Sequence, residues 1–232
     1  VMTTESRGGG EFAALEMLEA LRRQGHQVVM LSNQPQIGEH TSVPVRHLEL
    51  GPKLSTRTWF GLALGWPRLL ARLRRSLQDE YPYDALVVHY KKEQLLAAQL
   101  PEHLRANLAW VEWGPVPAPM RRGLARRLYL RAARRANHVM AISAGTRDSV
   151  TSVGVPAEKV SVVPNIVRVD EIDFTPAGRT QVRSELGIPD RALVVGCISR
   201  FSAKKRNDVV IDAVKQLKRD DVHLILAGAG ES

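Results

Sequence analysis

Cysteine is almost missing from this 232-residue chain. Cys197 stands alone, which removes any internal disulfide and any cysteine-based zinc site. Aromatic residues are sparse at 5%. Long apolar runs are missing too: the longest nearly apolar stretch, Trp59 to Trp66, falls far short of the ~20 residues a membrane-spanning helix needs. The first residues do not read as a secretion signal, so a reducing cytoplasm is the expected setting. Low-complexity disorder is excluded as well, because 25% of the chain is charged while 44% is hydrophobic and well dispersed.

The residues present suggest an α/β protein. At ~150 residues per domain the length corresponds to one large domain, or one and a half smaller ones, enough to bury a core without staples. The net charge of +9 is uneven. Residues 171–232 carry ten basic and nine acidic side chains, which leaves +8 in the first 170. Such a basic portion suggests an anionic partner: nucleic acid, anionic lipid or a phosphorylated small molecule.

Hydrophobic periodicity orders the chain. Val1 to Thr4 reads as the end of a strand running into Gly8-Gly9-Gly10. Ala14, Met17, Leu18 and Leu21 then mark one face of a helix, with Gly25 as its stop. Strands are expected at 26–32, 84–89, 108–112, 138–143 and 159–163. Helices are expected over a stripe from Trp66 to Leu77, and at 91–99, 120–136 and 144–153. Alternation of this kind implies parallel pairing in a doubly wound sheet. After a linker at 168–178 the pattern restarts: a helix at 179–186, a strand at 192–198, and a helix at 207–218 with Val209, Val210, Ala213, Val214 and Leu217 inward. A strand at 222–227 then runs into the Gly228-Ala229-Gly230 turn. The expectation is a segment of a longer protein, with 1–170 as a Rossmann-like domain lacking the start of its first strand and 171–232 as the beginning of a second.

Gly8-x-Gly10-x-x-Ala13 after a strand matches the dinucleotide fingerprint G-x-G-x-x-G/A. An NAD(P)-dependent oxidoreductase is therefore an alternative. It also requires an acid at the end of the second strand to hold the ribose, and here that strand ends Ser32-Asn33-Gln34, with Glu39 the first acid beyond it and no arginine before Arg46.

Four blocks carry a more specific signal: GGGEFAALEMLEALRRQGHQVVMLS (8–32), AISAGTRDSVTSVGVPAEKVSVVPN (141–165), ISRFSAKKRNDVVIDAVKQL (198–217) and LAGAG (226–230). In order and spacing they resemble glycosyltransferase family 4. The resemblance implies a GT-B fold, α/β, with an acceptor-side domain followed by a nucleotide-sugar-binding domain. It implies a retaining, metal-independent transfer of a sugar from a nucleotide-diphosphate sugar to an acceptor that the sequence does not name, such as a lipid-linked or cell-envelope glycan. The resemblance places the donor diphosphate between Arg200 and Lys205, five residues apart after the first strand of the second domain, with the loop of Gly9 and Gly10 approaching it. Fixed cations stabilise a departing diphosphate as its charge grows, without a metal. The family's paired glutamates are implied to lie past Ser232, so this segment alone is expected to be inactive.

This chain also departs from the family. Ser199 and Arg206 stand where glycine is usual, Ile166 follows Asn165 in place of glycine, and Trp113 precedes Gly114 where a histidine is common. Glu112 and His89, each ending a strand, are the candidates for a catalytic or acceptor-orienting group; both residue types also occur at strand ends for purely structural reasons. Gly228 and Gly230 read as structural. Seven arginines and no acid occur between 120 and 136, with Arg127, Arg131 and Arg134 on one helical face. Such a helix is either a solvated face or a peripheral contact with anionic lipid at the inner side of the membrane, which leaves a non-catalytic membrane-surface domain as a further alternative. No aromatic platform, zinc signature or recognition helix accompanies it, so nucleic acid is not an expected partner.

Overall fold

Ala14, Leu15 and Leu18 are buried along helix α1 (Gly9–Arg23), with Glu11 in its first turn and Arg22 and Arg23 in its last, as the macrodipole favours. Gly25 adopts φ +91°, and the bonds Gly25 N to Arg22 O (2.9 Å) and His26 N to Leu21 O (3.1 Å) close a Schellman cap. This computed structural model describes residues 1–3, 9–166 and 174–230. Gly8 of the fingerprint and residues 168–173 of the expected linker lie outside them. The chain divides into two compact units, Val1–Val167 and Arg168–Ser232.

The first unit continues with β1 (Met30–Ser32), β2 (Val45–His47), α2 (Trp59–Asp79), β3 (Val87–Val88), α3 (Lys91–Ala97), β4 (Ala109–Glu112), α4 (Gly123–Ala133), β5 (His138–Ala141), α5 (Ala144–Val153) and β6 (Val160–Val162). Every pairing is parallel: β1 with β2, and β3-β4-β5-β6 in sequence. Residues 1–3 join the two groups. Met2 bridges Ser32 in parallel and donates to Leu31 O at 2.9 Å. On the other side the Val1 nitrogen donates to Val87 O at 2.6 Å, and His89 N donates to Val1 O at 3.3 Å. The spatial order is therefore β2-β1-(1–3)-β3-β4-β5-β6, a doubly wound sheet whose order reverses between residues 1–3 and β3.

Apolar side chains cover both faces. Met2, Leu15, Leu18, Met30, Ile37 and Val43 form the core under α1. The larger core, beneath α2 to α5, includes Leu62, Leu73, Leu96, Trp110, Tyr129 and Val150.

Several local expectations are corrected. The strand at 26–32 shortens to Met30–Ser32, because His26 and Gln27 are exposed. β2 forms in a stretch for which no strand was expected. α2 begins seven residues before the Trp66 stripe and carries Pro67 inside it. The 120–136 segment is not one helix: a 3-10 turn, Ala118–Arg121, precedes α4, and Gly123 at φ +59° breaks the two apart.

In the second unit α6 (Pro176–Glu185) starts earlier than expected, with Pro176 in its first turn and the Thr175 hydroxyl accepting from Gly178 N at 3.0 Å. β7 (Leu193–Ile198) and β8 (Val222–Ala227) pair in parallel through the crossover α7 (Asn207–Gln216). Val210 and Val214 are half-buried, whereas Val209, Ala213 and Leu217 are exposed, contrary to expectation. Two paired strands among the described residues offer a floor for one helical stripe and no more. A Cβ on Gly228 would sit 1.8 Å from the Ser199 carbonyl oxygen, so only glycine fits at that crossing.

Candidate functional site

Parallel strands end on one side of the sheet, and open α/β sheets bind ligands outside those ends where the order reverses. In the first unit that place lies beyond Thr3, β3 and β4. A cleft of about 240 Å³ opens there, lined by Thr3, His89, Lys91, Glu93, Glu112 and Trp113 among others. Three residues singled out in the sequence meet at it. His89 follows β3 and stacks on Trp113, ring centroids 5.7 Å apart at 15°. A Cβ on Gly10 would lie 3.6 Å from the Trp113 ring and 3.7 Å from the Tyr90 hydroxyl. The start of α1 is thus packed over the ends of β3 and β4, and the Tyr90 hydroxyl donates to Glu11 to hold it there. Gly9 faces open space.

Glu112 ends β4 and is 2% exposed. Lys91 donates to both of its carboxylate oxygens, and the Tyr129 hydroxyl donates to Oε1 at 3.1 Å. Lys91 Nζ also lies 4.6 Å from the centroid of the Tyr129 ring. Burial lowers the Lys91 pKa against the pull of Glu112, and the same burial drives the Tyr129 phenol well up.

A second buried group adjoins it. The Thr3 hydroxyl donates to Glu93, and Lys92 lies 3.8 Å from that carboxylate while donating to Gly51 O and, at 3.0 Å, to Pro52 O. Burial raises the Glu93 pKa against Lys92. His89 is 4% exposed; burial holds its imidazole neutral at pH 7, and among the described residues its Nδ1 has no partner. Lys91, Lys92, Glu93 and Tyr129 were not anticipated from sequence. One signal for the lysines was present: two of them opening a helix oppose its dipole.

In the second unit Arg200 follows β7, and Lys205 ends a 3-10 turn, Ala203–Lys205, donating its N–H to Ser202 O at 2.9 Å. Both side chains are exposed, and among the described residues neither has an acid within ion-pair reach. Arg206, by contrast, caps α7 at φ +51° and pairs with Asp208 at 3.0 Å. Asn207 fixes the loop: its Oδ1 accepts from Ser199 Oγ at 2.9 Å and its Nδ2 donates to Arg200 O at 3.4 Å. The basic residues thus precede the helix instead of lying in its first turn. Among the described residues no cluster of three His, Cys, Asp or Glu is placed to hold a metal ion, and no helix is long and apolar enough to cross a membrane.

A doubly wound unit with a cleft at its switch point into which charged side chains project, and a second parallel unit with exposed cations after its first strand, together define a GT-B-type α/β protein. The chain belongs to the glycosyl transferase 4-like family, whose domain model matches residues 8–166. It is similar to the GDP-mannose-dependent alpha-(1-6)-phosphatidylinositol monomannoside mannosyltransferase of Mycolicibacterium smegmatis, 30% identical over 122 residues, which is 52% of this chain and 30% of that protein. It is also similar to the D-inositol 3-phosphate glycosyltransferase of Stackebrandtia nassauensis, 41% identical over 61 residues, 26% of this chain and 13% of that one. Among solved structures, Anabaena Alr3699/HepE in complex with UDP superposes with a TM-score of 0.76 at 21% identity, covering 99% of this chain and 60% of the other. A glycosyltransferase from Rickettsia africae gives 0.69 at 17% identity, covering 98% and 59%. The chain spans less than two thirds of the length of each of these relatives.

Proposed function

We propose that this chain serves a retaining, metal-independent glycosyltransferase that takes its sugar from a nucleotide-diphosphate donor. The observation that carries this reading is the pair of exposed cations, Arg200 and Lys205, unpaired among the described residues and held on a loop that Asn207 pins. In transfer, the bond from the anomeric carbon to the diphosphate breaks and a bond from the acceptor oxygen to that carbon forms. The acceptor's proton passes to a leaving phosphate oxygen. Negative charge grows on the diphosphate as this happens, and two preoriented cations stabilise it. The comparisons support a nucleotide-sugar donor through HepE, whose structure holds UDP, and through the mannosyltransferase, which is named for GDP-mannose.

In the first unit the cleft supplies acceptor contacts. Neutral His89, stacked on Trp113, offers a ring nitrogen to an acceptor hydroxyl, while Glu112 orients Lys91 towards the cleft. The oxidoreductase alternative has no support at β1, where Ser32-Asn33-Gln34 presents no carboxylate to a ribose.

Calorimetric titration with GDP, UDP, GMP and NADH tests the reading. A diphosphate should bind at least about tenfold more tightly than the monophosphate, and Arg200→Ala should remove about 2 kcal/mol of that binding, as loss of a charged hydrogen-bond partner does. Tighter binding of NADH than of either diphosphate would reverse the assignment.

A second reading concerns α4. Its outward face carries Arg127, Arg131 and Arg134 together with Leu124, 71% exposed, and Leu128. That mixture suits the surface of an anionic membrane on the cytoplasmic side better than it suits bulk water.

A further inference from the structure

The loop that carries Arg200 and Lys205 is closed by one side chain. At its first end the main chain is already fixed. Ser199 N donates to Ala227 O at 3.0 Å, and Phe201 N donates to Ala229 O at 2.8 Å. The Ser199 carbonyl oxygen presses on Gly228 so closely that no Cβ fits between them. Arg200 therefore leaves a rigid backbone, while its own side chain is exposed.

Lys205 stands at the other end. Its N–H closes the 3-10 turn on Ser202 O at 2.9 Å, and Arg206 then turns to φ +51° before α7 begins. Arg206 has its own acid: Nε and Nη2 donate to the Asp208 carboxylate at 3.0–3.1 Å. Its charge is thus met within the first turn of α7.

Asn207 joins the two ends. An asparagine at a helix start ordinarily caps the N–H groups of its own helix. Asn207 is the first residue of α7, half-buried, and it bonds back to the strand instead. Its Oδ1 accepts from the Ser199 hydroxyl at 2.9 Å and more weakly from the Cys197 thiol at 3.6 Å, while Nδ2 reaches the Arg200 carbonyl at 3.4 Å. A carbonyl can only accept, so the amide has one orientation: oxygen towards β7, nitrogen towards Arg200. The bond to Ser199 exists because this chain carries serine where the family it resembles usually has glycine. Ser199 is consequently held on two sides, by Gly228 against its carbonyl and by Asn207 at its hydroxyl.

Spacing is what such a closure controls. A diphosphate presents two linked charged groups and gains in full only from cations already held at a matching separation; a single phosphate needs only one of them.

We propose that Asn207 is a positioning residue for diphosphate binding, acting with Ser199 as one unit to set Arg200 against Lys205. The inference rests on the diphosphate reading given above and adds the device that orders its two cations.

Calorimetric titration of the 232-residue chain tests it with UDP or GDP, whichever binds more tightly, and with the corresponding monophosphate. The variants are Asn207→Ala, Ser199→Ala, their combination, Ser199→Thr and Arg200→Ala, with amide exchange of β7 and β8 to establish folding. Asn207→Ala and Ser199→Ala should each weaken the diphosphate about fivefold, as loss of one hydrogen bond does, and leave the monophosphate within about twofold. The combined variant should fall within about twofold of the weaker single one, because the same bond cannot be lost twice. Ser199→Thr keeps the hydroxyl and should bind like the unaltered chain. Equal weakening of diphosphate and monophosphate would make Asn207 a residue of the scaffold alone and overturn the proposal. Additive losses in the combined variant also overturn it. So does undiminished diphosphate binding by Asn207→Ala; if Arg200→Ala is weakened in that case, the diphosphate reading itself stands. Undiminished binding by Arg200→Ala, or no diphosphate binding by the unaltered chain, removes that reading and this inference together.

Discussion

Glu112→Gln is the substitution that most directly tests the architecture of the cleft. It keeps the shape of the side chain and an oxygen for the Tyr129 hydroxyl, but removes the charge facing Lys91. Glu112 is 3% and Lys91 16% exposed by side chain, so water replaces little of what is lost. At ~3 Å and an effective dielectric of ~20 the attraction is about 5 kcal/mol. Glutamine recovers part of this as a neutral hydrogen bond, and stranding one partner of a buried pair costs about 3 kcal/mol or more. All four tryptophans lie in the first unit, with Trp110 packed on Tyr129 at 5.7 Å, so urea unfolding monitored by their fluorescence reads that unit alone. Lys91→Met combined with Glu112→Gln should recover more than half of the loss, because no uncompensated charge remains. The pH dependence has a definite sign. Burial already lowers the Lys91 pKa, and removing Glu112 lowers it further. The unfolded chain then holds the proton more firmly than the folded one, so stability rises with pH up to the ordinary lysine value. The deficit of the single variant should therefore narrow in alkali. A deficit below ~1 kcal/mol, or a double variant no better than the single, would refute the coupling.

Glu19 ties α1 to the following loop by accepting from Thr41 Oγ1 and Ser42 N, both at 2.6 Å, and these bonds lower its pKa to about 2. Its stabilising contribution should be complete above the ordinary carboxyl value and vanish as pH falls towards about 2; carboxyl NMR titration checks this, and Glu19→Gln should abolish the acid-range slope. Gly228→Ala should cost β7–β8 its amide-exchange protection because of the 1.8 Å approach to Ser199 O, while Gly230→Ala, whose Cβ would lie 3.7 Å from that of Phe201, should be tolerated. Equal behaviour of the two glycine variants would contradict the assigned crossing.

The parallel α/β order was legible because hydrophobic runs alternate with helical stripes along the whole chain. β2 escaped notice because Val45-Arg46-His47 is a three-residue edge strand with two exposed positions, too short to show alternation. The start of α2 was obscured by Gly61, Gly65 and Pro67, each a helix-weakening residue that packing by Leu62 and Leu69 overrides. His89, Glu112 and Gly10 could be singled out because strand ends and glycine turns are local features. Their partners could not. Tyr90 reaches Glu11 across 79 residues and Thr3 reaches Glu93 across 90, and only the sheet order brings such pairs together.

The charges beneath the cleft argue for a role beyond folding. Lys91, Lys92, Glu93 and Glu112, with the neutral His89 beside them, stand at the start of α3 and the end of the adjacent strand, at the sheet's reversal point. Taking such groups out of water costs several kcal/mol per ion in general, and apolar side chains of equal volume would give comparable or greater stability. Scaffold pairs in this chain show the opposite pattern: Arg179–Asp190 and Arg219–Asp221 lie in solvent, where ion pairs form with little desolvation and contribute little. The first unit sacrifices stability at one place, and that place is where α/β sheets bind their ligands. The buried pairs also balance, Lys91 with Glu112 and Lys92 with Glu93, so the cleft floor is close to neutral while the outer helices are strongly basic. Under the proposed function, a neutral, hydrogen-bonding floor suits the hydroxyl groups of an acceptor.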